Sequence, residues 1–150
     1  MAHIRILSKL GSTVLGLGLV VVLLAACGSS STQAQTNGTS SFHTALGTTD
    51  GRFQLQVNVS PDRFGKNTFT VNIADTSSGK AVTNVHVRLF ITMLDMDMGS
   101  TTVVDMQSGS QGQYSAQSQL AMNGHWGIRI RLLTPDSLAH EANVRLLITS

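Results

Sequence analysis

Methionine is the residue type whose placement in this 150-residue chain points most directly to chemistry. Of its six methionines, Met93, Met96, Met98 and Met106 fall within the segment 93–106, and Met122 stands beside Asn123-Gly124. Thioether sulfur is a soft, uncharged donor that selects Cu(I) over Zn, Ca or Mg. In an extended backbone, positions 96 and 98 point to the same side, so two sulfurs of Met96-Asp97-Met98-Gly99 can converge on one ion. His125, just before Trp126, is the best-placed nitrogen donor to join them. His86 and His140 are weaker candidates, and His43 is expected in or near the tether. The expected metal ligands are therefore Met96, Met98, His125, Met106 and Met122.

A plainer reading stands beside this one. Methionine fills irregular gaps in cores; Met93 continues the apolar face of its strand, and Met122 can close the end of the domain beneath a turn. Met96 and Met98 alternate with Asp95 and Asp97, a polar setting less suited to burial, where an acidic loop with two exposed methionines is the alternative to a site. His125 can be an ordinary turn residue. Asp95, Asp97 and Asp105 lack the spacing of a calcium loop and its distant Glu. Neither an intramolecular disulfide nor a multi-cysteine zinc site is available, because Cys27 is the only cysteine.

That cysteine has a different context. Residues 1–10 carry Arg5 and Lys9 and no acid, and an apolar stretch rich in Leu and Val runs from Val14 to Ala26. This is the layout of a signal peptide, and it falls short of the roughly 18 or more residues of a membrane span. Leu24-Ala25-Ala26-Cys27 resembles the lipobox of bacterial lipoproteins, which implies removal of residues 1–26 and lipidation of Cys27. The expected location is thus the cell membrane, lipid-anchored, on its extracytoplasmic face. Two or more acyl chains would make such anchoring stable. Residues 27–41 form the tether: Gly28 to Ser41 is Gly, Ser, Thr, Gln and Asn with a single Ala34, has nothing to bury, and as a flexible coil has a mean reach of roughly 20 Å.

Residues 42–150 form the domain that must position the candidate ligands, and they read as strands. Phe53, Leu55, Val57 and Val59 alternate with polar residues, as do Phe69, Val71 and Ile73. Val85, Val87, Leu89, Ile91 and Met93 form one face of the longest run, with His86, Arg88, Phe90, Thr92 and Leu94 on the other. Shorter strands are expected over Thr101–Met106 and Gln113–Leu120. Asn123-Gly124 then reads as a two-residue type I′ hairpin, followed by Trp126, Ile128, Ile130 and Leu132, and finally by Val144, Leu146 and Ile148. Ser137 to Asn143 has room for a helical turn. The fold class expected is all-β, an immunoglobulin-like antiparallel β-sandwich of about seven strands.

Charge excludes some partners. The chain has 10 Lys and Arg against 8 Asp and Glu; without Arg5 and Lys9 the balance is 8 to 8, so the domain is neutral with its histidines uncharged, and nucleic acid is not an expected partner. An enzyme is not expected either: no Gly-x-Ser-x-Gly elbow, His-Glu-x-x-His motif or glycine-rich phosphate loop organises the polar residues, and Glu141 is the only glutamate.

Asn67-Thr68-Phe69, Val85-His86-Val87-Arg88-Leu89, Met96-Asp97-Met98-Gly99, Gly112-Gln113-Tyr114-Ser115-Ala116 and Met122-Asn123-Gly124-His125-Trp126, in that order, resemble the YtkA-like domain over about Arg52 to Ile148. The resemblance implies a small extracytoplasmic β-sandwich, found in lipoproteins and fused to CopC/CopD-type copper-transport proteins, and hence a link to copper handling. It implies Gly112, Tyr114, Gly124 and Trp126 as fold determinants. One departure is the lack of a His near the start of the sandwich of the kind CopC proteins use for Cu(II), which favours Cu(I). The function expected is a membrane-anchored extracytoplasmic lipoprotein that binds or delivers copper through its Met-rich loop. The competing class is a metal-free β-sandwich module whose exposed strands and loops, methionines included, meet a membrane-protein partner.

Overall fold

Alternation of apolar and polar residues dictates the secondary structure. In the computed structural model, which describes residues 40–96 and 100–149, every element is a strand: β1 (Phe42–Gly47), β2 (Phe53–Ser60), β3 (Gly65–Asp75), β4 (His86–Met93), β5 (Thr101–Asp105), β6 (Gln107–Ser108), β7 (Gln113–Leu120), β8 (Gly124–Leu133) and β9 (Ala139–Ile148). Phe53, Leu55, Val57 and Val59 of β2 are buried, while Gln54 and Gln56 face solvent. The same period of two runs through β3, β4, β8 and β9. A side chain of this kind, fully buried, contributes roughly 1.5–3 kcal/mol, against about 1–2 kcal/mol for ordering each residue's backbone. A continuous core is therefore a requirement of the fold.

The strands form two antiparallel sheets, ordered β1-β2-β3-β7-β6 and β5-β4-β8-β9. Val59, Phe69, Tyr114 and Leu120 from the first meet Val87, Leu89, Ile91, Ile128, Ile130 and Leu146 from the second in one core. The sandwich is as expected, with nine strands where seven were read: β1 was included in the domain without being recognised as a strand, and β6 is two residues long. The 137–143 segment holds no helical turn; β9 begins at Ala139.

Asn123-Gly124 does not close a hairpin. β7 pairs with β3 and β6, whereas β8 pairs with β4 and β9, so residues 121–123 carry the chain from one sheet to the other. Leu120 and Trp126 both point into the core, and a connection between sheets lets both do so. Gly124 keeps a positive φ of 129°, a conformation that glycine adopts without strain.

Buried polar groups mark the joints. The Tyr114 hydroxyl donates to the Val82 carbonyl at 3.2 Å, and Trp126 Nε1 donates to the Met122 carbonyl at 3.1 Å. Asn67, 1% exposed, accepts from the backbone N–H groups of Asp62 and Arg63 and donates to the carbonyls of Arg63 and Gly65. It thereby satisfies four polar atoms of its own loop, whose loss in an apolar interior would be costly. His140 is also buried; its Nδ1 meets Asp50 Oδ2, and its ring packs edge-on against Phe53 at 4.8 Å between centroids.

Candidate functional site: a methionine and histidine end of the sandwich

Register fixes which candidate ligands share a neighbourhood. β4 and β8 pair with Met93 opposite Trp126, and the Leu94 N–H continues the ladder to the His125 carbonyl at 2.8 Å. The loop after β4 is thus laid against the start of β8. Asp95, Met96, Met122 and His125 all belong to this end, which also receives the end of β9 through the pairing of Gly124 with Ile148.

Asp95 holds the two segments together. Its Oδ2 accepts from the His125 backbone N–H at 2.7 Å, and its Oδ1 lies 2.9 Å from His125 Nδ1. These hydrogen bonds, the backbone one foremost, keep the Asp95 carboxyl below the usual carboxylate range. With a carboxylate as its partner, Nδ1 is the donor of this hydrogen bond, and Nε2 is the ring nitrogen left for another partner. Among the described residues no hydrogen-bond partner is found for Nε2. A carboxylate fixing the tautomer of a histidine whose other nitrogen is open is the usual support for a metal-bound imidazole.

Gly124 makes this approach possible. A Cβ at that position would stand 2.5 Å from Asp95 Oδ2 and 2.6 Å from Met93 Cε. The glycine is required both for its φ and for the carboxylate that lies against it.

The methionines divide. Met96, next to Asp95, is 47% exposed, and Met122 is partly buried against the core. Met93 is buried on the inner face of β4 as its alternation predicts, at 7% exposure. Met98 lies outside the described residues, as do Asp97 and Gly99. Met106 is placed elsewhere: it stands where the chain leaves β5 for β6, its N–H bonded to the Val87 carbonyl and its side chain in the core. Val87 and Met93 are six residues apart on β4, or about 20 Å, so Met106 is not gathered with the other candidates. The backbone therefore places Met96, Met122 and His125 at one end of the sandwich.

The other histidines have separate neighbours. His86 Nε2 lies 3.3 Å from Asp105, and His140 meets Asp50. His43 stands in β1 opposite Asn58, not in the tether, so the sandwich does have a His at its start; its Nε2 lies 2.8 Å from the Ser41 hydroxyl. Among the described residues, no group of three or more His, Cys, Asp or Glu is assembled. Cys27, the expected signal peptide 1–26 and nearly all of the expected tether 27–41 fall outside the described residues.

Asp95, which the sequence suggests only as a calcium ligand, is the residue of this end that orients His125. Its place emerges only from the pairing of β4 with β8: with Met93 opposite Trp126, residue 95 falls opposite residue 124, beside His125.

A family model described as YtkA-like matches residues 45–131, from β1 almost to the end of β8, and so includes every residue of this end except the terminus of β9. No curated protein and no solved structure matches the chain.

Proposed function

The chain belongs to the YtkA-like family, and from that premise we propose that it is a non-catalytic, lipid-anchored extracytoplasmic protein that binds Cu(I) and hands it to a membrane-protein partner. The observation that carries this reading is the Asp95–His125 pair: an exposed imidazole oriented by a carboxylate at Nδ1, its Nε2 without a partner among the described residues, with the exposed Met96 following Asp95 in the chain. The donor set fits the ion. Thioether and imidazole are soft to borderline neutral ligands, suited to Cu(I) and poor for Ca or Mg. Met96, Met98 and His125 would hold the metal, with Met122 nearest in support; Met93 and Met106 serve the core. Exposure of Met96 and His125 suits an ion that must be passed on.

The anchor at Cys27 and the tether keep the domain near a bilayer, where a copper-transport protein is the partner of matching chemistry. The test is a titration of the purified chain in detergent with Cu(I) against a competing chelator. Stoichiometric binding that is lost when Met96→Leu and Met98→Leu are combined supports the proposal. Failure of the unmutated chain to compete for the metal eliminates it.

A further inference from the structure

Register lays out the outer face of the β5-β4-β8-β9 sheet row by row. Asp105, Arg88, Arg131 and Glu141 stand side by side across the four strands. This row neutralises itself: Arg88 Nε lies 2.6 Å from Asp105 Oδ1, and Arg131 Nε lies 3.8 Å from Glu141 Oε1. The next row is Val103, Phe90, Arg129 and Asn143, and the one after it Thr101, Thr92, Gly127 and Arg145. Neither Arg129 nor Arg145 has a carboxylate partner among the described residues. The Arg129 guanidinium lies over the Phe90 ring, 4.4 Å from its centroid, a contact that holds it without using its N–H donors. Gly127 carries no side chain, and a hollow lined by Phe90, Leu94, Gly127, Arg129, Asn143 and Arg145 opens above it.

This face differs in kind from its counterpart. Of the eight Lys and Arg in residues 42–150, four stand on it, and all four are arginine. Exposed Leu94, Val103, Leu133 and Leu147 share it with them. The outer face of the other sheet is built of amides and hydroxyls, Gln54, Gln56, Asn72, Gln113 and Gln117 among them, with Lys66 as its one Lys or Arg. Single exposed apolar residues are ordinary. Several on one sheet face, set among arginines and with no lysine, have the composition of a protein contact surface.

We propose that the part of this face around Gly127 docks an acidic segment of a partner protein, with carboxylates on Arg129 and Arg145 and apolar side chains on Phe90, Leu94 and Leu147. Charge decides the partner. The strands of the face carry four arginines against Asp105 and Glu141, and Asp95 at its end is engaged by His125. The two uncompensated guanidiniums call for carboxylates, which arginine binds through paired N–H donors. A second copy of this chain would set the same excess of positive charge against itself. An anionic bilayer matches in sign, but Asp105 and Glu141 lie in the plane that would meet it, and the apolar side chains are spread among the arginines rather than gathered for insertion. The inference goes beyond the copper reading and holds with the metal absent. His125 stands between Leu94 and Leu147 in the next row, so a docked segment lies beside the candidate metal end.

The test uses the full chain, isotope-labelled and purified in a neutral detergent without metal, and takes as its probe a short peptide that repeats Glu-Glu-Leu. At low salt the backbone amide resonances of residues 90–94, 127–129 and 143–147 should move as the peptide is added. Arg129→Gln combined with Arg145→Gln should weaken the peptide by about tenfold, while the rest of the spectrum, and so the fold, stays as it is. Lys66→Gln, on the opposite face, should bind as the unmutated chain does. Absence of shifts, shifts spread over both faces, an equal loss in Lys66→Gln, or equal shifts from a Lys-Lys-Leu peptide overturns the proposal. Bicelles containing phosphatidylglycerol that move these resonances when the peptide does not assign the face to lipid, and overturn it too. A chain that sediments as a dimer, with the double variant a monomer, assigns the face to a second copy and has the same consequence.

Discussion

The backbone N–H of His125 and its Nδ1 both meet the one carboxylate of Asp95, at 2.7 Å to Oδ2 and 2.9 Å to Oδ1. One short acidic side chain thus ties the loop after β4 to the first turn of β8 and sets the imidazole's orientation. Two hydrogen bonds to an ionised acceptor are stronger than two between neutral groups. The pair sits at an exposed rim, so its worth lies in positioning more than in stability.

Removing that carboxylate should therefore separate binding from folding. Asp95→Ala frees the His125 ring and its tautomer, and outer-shell carboxylates of this kind typically change metal affinity about 10–100-fold. Competition with a Cu(I) chelator should show a weakening in that range, while the thermal midpoint moves little. An affinity equal to that of the unmutated chain would mean that His125 is not a ligand.

Much of the scaffold around this pair is legible in sequence. The alternation in β2, β3, β4 and β8 is written in residues such as Leu55, Val71, Ile91 and Ile130, and their burial depends on period alone. What lies outside its reach is the choice of partner sheet. Asn123-Gly124 has hairpin chemistry, but whether β7 and β8 pair is decided by competition with β3 and β4, far away in the chain. His140 shows the same limit: its partner Asp50 is 90 residues distant, and nothing local distinguishes it from a ligand. Met106 reads as one of a cluster by sequence distance, yet antiparallel pairing of β4 with β5 carries it to the other end of the strand.

The methionines should respond to truncation according to where they lie. Met106 is 6% exposed in the core, and Met→Ala at such a site costs about 2–5 kcal/mol. Met96 is half exposed, and Met96→Ala should stay within about 0.5 kcal/mol of the unmutated chain. Urea denaturation of the two variants checks the contrast. Equal losses would mean that Met96 packs against something the domain does not itself supply.

Gly124 should tolerate no side chain. Gly124→Ala places a methyl 2.5 Å from Asp95 Oδ2 and 2.6 Å from Met93 Cε, on a backbone with φ 129°. Holding a non-glycine residue in such a region costs of order 1–3 kcal/mol, and the displaced carboxylate can no longer reach both groups of His125. The expected result is a lower urea midpoint together with weaker copper binding, the only variant here to show both. A midpoint unchanged within error would show that the 121–125 segment relaxes freely.

Acid should erode the stability that the turn at Asp75 adds. Hydrogen bonds from the hydroxyls of Ser77 and Ser78, and then from the Ser78 backbone N–H, hold the Asp75 carboxyl far below its ordinary value. A carboxyl whose pKa is lower in the folded than in the unfolded chain adds stability that is complete above the unfolded value near 4 and fades as pH falls toward the folded one. The thermal midpoint of Asp75→Asn should therefore trail that of the unmutated chain by a constant margin from pH 7 to about pH 5, and the gap should narrow below about pH 4. Asp50, lowered to about 2 by hydrogen bonds with Thr48 and His140, fades over the same acidic range in both chains and cancels in the comparison. A gap that widens on acidification would mean that the ionised carboxylate opposes the fold at this turn.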